Sequence, residues 1–420
     1  MSVAAAYLDL PPSHSEGEPG LVTAQRQQAL DHFRTKLFPK RNNEAWRLTD
    51  LKPLEGTFFP PASELADPNA VAQAGRIVEQ ERLADSLCLV FVNGLYISHL
   101  SSPERPDGVM IAQLKNKPTA AEPLLALIEN GFSALAAAHF LDGPVVRIEG
   151  EVERPIQIIH ISLNDEPTSV HSLTRIDLAA EASATVLETH IGRGSYWSNQ
   201  GSLIVVGANA NLTHGKIIAE DDSAHHLARQ AVRIAANAKY DGYVLVSGGS
   251  LVRQDTMADL QGEKGFAGYN GLILRKTAQA TIATEITHDA LACETREVVK
   301  SVVEGDGHAV FQGKITVTPE GQKTNAYQLS QAMLLTDTAR ADAKPELEIF
   351  ADDVKCSHGS TVGDLDDEQL FYLISRGIPK DEARAILIRA FAEAALDPIE
   401  HEGLKAYMAA RLDVWLGAAS

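Results

Sequence analysis

No apolar run in this 420-residue chain approaches the ~18–20 residues that cross a bilayer. The longest candidates, residues 87–92 and 203–206, have the length of strands. Cysteine is scarce: Cys88, Cys293 and Cys356 are too scattered for a disulfide framework. With no Cys-x-x-Cys pair, the chain offers no four-thiolate cluster site of its own. The amino terminus carries Glu16 and Glu18 and has no basic stretch followed by an apolar one. Neither a secretory signal nor an Arg-rich, acid-poor transit peptide fits it, which predicts a cytoplasmic chain. Positive charge is also in short supply. A formal net charge of −19 repels nucleic acid unless a local patch compensates. The densest basic stretch, residues 36–47, is interleaved with Glu44 and reads as a solvated helix end or turn. Nucleic acid and membrane are therefore set aside as partners.

What is present falls into three zones. Residues 1–144 form a mixed, partly helical domain. Leu30, Phe33 and Leu37 recur at helical spacing over residues 23–38, and an aromatic, charged segment follows at residues 41–51, closed by Pro53. Residues 88–92 read as a strand, Asn93-Gly94 as a hairpin turn and residues 95–97 as the return strand. Residues 124–128 and 132–140 read as short helices. In residues 145–364 the texture changes to short runs of Val, Ile, Leu and Thr separated by Gly, Asn, Asp and Ser. Residues 156–163, 174–178, 243–246, 281–286 and 314–317 are examples. Residues 365–420 are helical again: acids at 366–368 open one helix, Leu370, Phe371 and Leu373 give it an apolar stripe, and Gly377 ends it. Pro379 begins a second helix to about Ala395, and a third spans about 399–416. These three helices must pack on the end of the central domain or on a partner.

The central zone carries a repeat. A small-x-small-x-hydrophobic motif begins at Ala182, Ala208, Ala236 and Ala278, and more loosely at Gly305, at intervals of 26, 28, 42 and 27 residues. The long interval contains the glycine-rich stretch 262–271, read as a loop. A period of this size marks a solenoid in which each turn of chain stacks on the last, with small residues at tight corners. A large antiparallel sandwich is the competing reading. The period favours a parallel β-helix.

Most candidate motifs have simpler readings. Residues 307–315 superficially resemble a phosphate-binding loop but have five residues between the glycines, Ile315 at the metal-binding position and no following helix. They read as a corner and strand. His225-His226 and His288 with Asp289 read as solvated or hydrogen-bonded histidines before they read as ligands. Asp221-Asp222 and Asp352-Asp353 make no two-carboxylate site by themselves, because neighbours on a strand point to opposite faces. Cys356-Ser357-His358 is different. If residues 349–358 continue the strand pattern, Cys356 and His358 share a face, whereas a helix would splay them by about 200°. Thiolate and imidazole both bind iron or zinc, yet two ligands do not close a tetrahedral site. On the residues alone, a buried thiol beside a surface histidine remains the simpler reading.

At this motif the chain resembles a known family. Residues 344–378, from Lys344-Pro-Glu-Leu-Glu through Cys356-Ser-His358-Gly to Arg376-Gly-Ile378, are similar to the carboxy-terminal signature of the SufB/SufD family. Residues 309–317, 322–327 and the amino-terminal Asn43-Glu-Ala-Trp-Arg-Leu-Thr-Asp-Leu51 resemble it too. The SufB branch typically carries Cys-Glu-His-Glu where Cys356-Ser-His358-Gly359 stands, and has a longer, cysteine-bearing amino-terminal part. Both differences favour the SufD branch. The resemblance implies a right-handed parallel β-helix flanked by helical domains, acting as a non-enzymatic scaffold for iron–sulfur cluster assembly. It implies a heterodimer with SufB through the β-helix. It also implies docking of the ATPase SufC on the carboxy-terminal helices, around Leu370, Phe371, Leu373, Arg376, Ile386 and Phe391. No cofactor would be tightly bound by the isolated chain; iron or a transient iron–sulfur cluster would lie at the SufB interface, near His358 and Cys356. Without SufB, the unpaired solenoid edge leaves homodimer and monomer both open for the isolated chain. A polysaccharide-cleaving β-helix enzyme, or a purely structural regulator of the ATPase, are the alternatives.

Overall fold

The computed structural model describes residues 3–13, 18, 20–40, 42–62, 68–116, 128–164 and 166–417. Of the two short helices expected near residue 130, one spans Gly131–His139. The other falls on residues 124–127, outside the described residues.

Nineteen strands among the described residues build two sheets. The amino-terminal zone contributes β1 (Leu87–Val92), β2 (Leu95–Tyr96) and β3 (Val109–Gln113). The chain then runs through β4 (Pro144–Ile148), β5 (Glu151–Leu163), β6 (Thr168–Leu178), β7 (Ser183–Arg193), β8 (Tyr196–Val206), β9 (Asn211–Ala219) and β10 (His225–Ile234). It continues with β11 (Lys239–Val246), β12 (Leu251–Leu260), β13 (Phe266–Arg275), β14 (Gln279–His288) and β15 (Glu294–Val303). It closes with β16 (His308–Val317), β17 (Asn325–Leu334), β18 (Arg340–Ile349) and β19 (Lys355–Gly363).

Odd-numbered strands from β5 onward stack with β1 and β2 in one sheet, and even-numbered strands stack with β3 in the other. Each turn of chain therefore contributes one strand to each sheet, which is a parallel β-helix. Only β1–β2 and β3–β4 pair antiparallel, and they close the amino-terminal end. Successive register partners Ser183, Asn211, Lys239, Phe266, Glu294, Asn325 and Lys355 lie 27–31 residues apart.

The corners explain that period. Entering the odd-numbered strands, Glu181, Asn209, Asn237, Lys264, Ala292 and Lys323 all have left-handed backbone, φ between 55° and 64°. Their N–H groups point along the stack: those of Glu181, Asn209 and Asn237 each donate at 2.9 Å to the corner carbonyl of the next turn, on Ala208, Ala236 and Glu263. Ala278 and Gly305, also left-handed, sit at the opposite corner, entering the even-numbered strands β14 and β16. The 42-residue interval is thus one full turn plus a half-turn to the other edge. The expected loop at 262–271 is corrected accordingly. Only its first residues form a corner, and Gly268 and Gly271 lie inside β13. A Cβ on Gly271 would stand 2.8 Å from Ile282 across the interior, so close approach of the two sheets requires glycine there.

Between the sheets, an apolar stripe follows the odd-entering corner, with Ile158, Val186, Leu212, Ile234, Leu260, Ile286 and Val317 fully buried. A second stripe, including Val252, Ile282 and Phe311, fills the opposite side of the carboxy-terminal half. Buried polar groups occupy the space between them: Glu188, His214, Lys216, Gln230, Gln254 and Glu297.

The outer faces carry the helices. Helices Gly20–Lys36 and Gly131–His139 cover the even sheet around Trp197, Leu203 and Leu227. Arg26 locks them together, 1% exposed, donating to the Phe140 carbonyl at 2.7 Å with its guanidinium 3.8 Å above the Phe140 ring. Trp46 lies under the Arg253 guanidinium at 4.1 Å, so the segment read as aromatic and charged is a strap across the same sheet. Helix Pro68–Glu81 covers β1 and β5 through Ile77 and Val78.

The three carboxy-terminal helices are Asp367–Ser375, Lys380–Glu393 and Glu402–Leu416. The Asp366 side chain caps the first, accepting from the Glu368 and Gln369 N–H groups at 2.9 and 3.0 Å. They do not cap the end of the solenoid. Leu404, Met408 and Leu412 pack along the odd sheet against Leu187, Ile217, Leu245, Leu272 and Val302, because that face is apolar where an outer face would otherwise be polar. Among the described residues, no helix is long and apolar enough to cross a membrane.

Candidate functional site at the open end of the solenoid

Cys356 and His358 both lie on β19, the last strand of the odd sheet. A corner at residues 350–354 separates β18 from β19, so the continuous strand expected over 349–358 is broken; the shared face survives because both residues are on the same strand. Their register partners are Ala326 and Gln328 of β17, both buried inward positions. Cys356 packs against the end of the interior apolar stripe, and burial pushes its thiol pKa up against a weaker opposing backbone hydrogen bond from Ala326. His358 is exposed. It occupies an inward column that, among the described residues, no further turn of chain covers.

That column is polar. Gln328 donates to Glu297 at 2.7 Å, and Glu297 sits in register one turn further in. Burial raises the Glu297 carboxyl to about 7, against hydrogen bonds from Thr284 and Gln328. Gly313 makes room for this pair, since a Cβ there would collide with Gln328 Nε2. Neither Glu297 nor Gln328 was singled out from sequence. The available signal was a polar residue at an inward position on each of two consecutive turns, visible only once the register is known.

Among the described residues, β18 and β19 pair on one side only. Around this edge Ile349, Phe350 and Val362 are exposed at 41%, 64% and 51%. These side chains leave an exposed apolar surface beside strand edges that are open to pairing. The helix Asp367–Ser375 follows directly and buries none of its residues. Phe371, Tyr372 and Ile374 on it, and Ile386 on the next helix, form an exposed apolar surface, with Leu370 and Leu373 half-buried and Arg376 exposed. Phe391 is placed apart from them. It packs toward the odd sheet, with the Lys300 ammonium 4.3 Å from its ring centre.

The other candidates resolve as structure. His225 lies against Phe59, and His226 is buried and bonded to Glu220 rather than solvated. His288 is buried between Thr295 and Thr324. Residues 307–315 run from a corner into β16. An outer groove of about 340 Å³ carries several acids, but Asp255 is held by Arg253, Glu44 and Glu346 by Lys344, and Glu348 by Lys314. These carboxylates are neutralised by neighbouring cations across the groove.

Comparison with known proteins agrees with this architecture. Residues 160–391 match the family model "SUF system FeS cluster assembly, SufBD core domain", and residues 7–158 match the SufBD protein N-terminal region. The chain is 33% identical over 413 residues to the iron–sulfur cluster assembly protein SufD of Escherichia coli, covering 94% of each chain. It is 30% identical to an iron–sulfur cluster assembly SufBD family protein of Synechocystis, covering 91% of this chain and 88% of the relative. A chloroplastic protein of Arabidopsis thaliana, ABCI7, is 26% identical over 90% of this chain and 83% of its own.

Proposed function

Because the chain belongs to the SufBD family of iron–sulfur cluster assembly proteins, we propose that it is the SufD-type scaffold subunit of a SufB–SufC–SufD complex. A nascent cluster, or its iron, is the cargo, held briefly between this chain and SufB. One observation carries this reading. Cys356 and His358 occupy the inward columns of the terminal turn, at an edge that is unpaired and ringed by Ile349, Phe350 and Val362. A second solenoid docked there continues both sheets and brings the ligands that two residues cannot supply. Imidazole His358, exposed and free to turn, is the group that reaches the cargo. The raised thiol of Cys356 keeps it protonated until a metal or cationic group displaces the proton.

The exposed Phe371, Tyr372, Ile374 and Ile386 surface supplies the dock for the ATPase SufC, with Leu370, Leu373 and Arg376 at its margin. Phe391 acts behind it, fixing the helix to the solenoid.

The test is co-expression with SufB and SufC, comparing His358→Ala and Cys356→Ala for complex formation, ATPase rate, and bound iron and sulfide. We expect intact complex and a several-fold loss of iron and sulfide for His358→Ala, with a smaller loss for Cys356→Ala. Unchanged cluster yield in both variants would leave only a structural role. A separate expectation concerns the helix. Phe371→Ala combined with Ile386→Ala weakens SufC binding at least tenfold by calorimetry, as removal of central apolar anchors does. The thermal midpoint of the isolated chain stays nearly unchanged, because neither side chain is buried in it. Tight SufC binding by this double variant would remove the helix as the dock.

A further inference from the structure

The interior of the solenoid contains a second group of ligand-type side chains, some turns away from Cys356 and His358. His160 on β5 and His190 on β7 are register partners, with rings stacked at 4.7 Å. His226 on β10 reaches from the opposite sheet and meets His190 edge-on at 4.9 Å. Ligand atoms of His160, Glu188 and His190 all lie within 4.8 Å of one another, and so do those of His190, Glu220 and His226. All five side chains are buried.

Three histidines here lack hydrogen-bond partners on nitrogens aimed into this space. Among the described residues, His160 Nε2, His226 Nε2 and both ring nitrogens of His190 have none. An unmade hydrogen bond on a buried group costs about 1–3 kcal/mol, so four in one place call for a ligand. The remaining contacts are those that prepare a metal site. His226 Nδ1 is 2.9 Å from Glu220 Oε1, which in turn accepts from Tyr196 through its other oxygen. A carboxylate behind one ring nitrogen fixes the tautomer that leaves the other free to ligate. Glu188 is likewise held from behind: His214 and Lys216 contact its Oε1 at 3.0 and 3.2 Å, while Oε2 faces His190 at 3.9 Å. Metal–ligand bonds of ~2.0–2.2 Å need the donor atoms somewhat closer together than 4.8 Å, a change that ring rotation supplies.

We propose that this buried interior site binds one divalent first-row transition-metal ion through His160, His190 and Glu188, with His226, held by Glu220, packed edge-on beside His190. Imidazoles with a single carboxylate suit zinc, cobalt or ferrous iron, and exclude calcium and magnesium, which require oxygen donors. The site stands independently of the cargo site on β19 and of the proposed complex.

All of these side chains are buried, so the ion enters as the chain folds. The full-length protein is therefore unfolded, refolded with Co²⁺, and washed with a chelator over gel filtration. Cobalt is measured by mass spectrometry and by its visible d–d absorption. We expect about one equivalent per chain, a tenfold or greater loss in His190→Gln and His160→Gln, and full retention in His358→Ala and Cys356→Ser. Circular dichroism confirms that each variant has folded. His214→Gln, which leaves every ligand in place and removes a contact behind Glu188, lowers affinity by roughly 10–100-fold and serves if the other histidine variants do not fold. The inference fails if the washed wild-type protein retains no cobalt, the site then holding only water. It fails equally if His358→Ala releases the cobalt while His190→Gln keeps it.

Discussion

Lys216→Met lowers the unfolding free energy by about 3–5 kcal/mol, the range for removing one partner of a buried ion pair. Lys216 and Glu188 each have side chains only 2% exposed, inside the solenoid, with Nζ 3.2 Å from Oε1. Burial opposes ionisation of Glu188, but Lys216 and the hydrogen bond from His214 outweigh it and hold the carboxyl well below its ordinary range. Removing the ammonium leaves a carboxylate in the core with one partner fewer. The variant Glu188→Gln with Lys216→Met removes both charges together and recovers most of the loss. Urea midpoints for the wild type, each single variant and the pair check this cycle. A Lys216→Met cost below about 1 kcal/mol, or a double variant no better than the single one, contradicts the pairing.

Acidification between pH 6.5 and 4 destabilises the protein through its buried histidines. Burial lowers the imidazole of His139 to about 4, with Arg26 nearby adding to the effect, and burial alone lowers His288 to about 4. His171 is pushed down in the same way. A base whose folded pKa is depressed is neutral in the native state while the unfolded chain still takes up protons near 6.5. Stability is therefore complete above about 6.5 and is lost as pH falls towards 4. A shift from 6.5 to about 4 corresponds to about 3 kcal/mol for each of His139 and His288. Urea midpoints measured from pH 7.5 to 4 should fall steadily, and His288→Gln should flatten the curve. Constant stability down to pH 4.5 rules this account out.

The shared face of Cys356 and His358 was open to reading because its information is local. Residues two apart on a strand share a face whatever surrounds them, and Cys356 and His358 obey that rule on β19. The solenoid was legible for a similar reason. Left-handed corner positions select small or Asn residues around them at each turn, which leaves a visible period. The period faltered where Lys264, Ala292 and Lys323 took the corner positions and where the motif moved to the opposite corner at Ala278. Nothing local distinguished those turns. The interior histidines were harder still. His160, His190 and His226 come from three turns and two sheets, and only the register brings them together. Of the two expected states, solvated or hydrogen-bonded, His226 takes the second, because β10 places even-numbered residues inward, a phase set by Val232 and Ile234.

The carboxy-terminal helices give the solenoid a property that stacked turns lack. In a repeat where each turn touches only its neighbours, strands can peel from one end with little effect at the other. Here Leu404, Met408, Leu412 and Ile388 lie across side chains of β7, β9, β11, β13 and β15 at once. Fraying of any one of those turns uncovers the same helices, so five turns melt as a unit. These helices also follow the solenoid in the chain. During synthesis the solenoid emerges first with a bare apolar flank, and the later helices cover it.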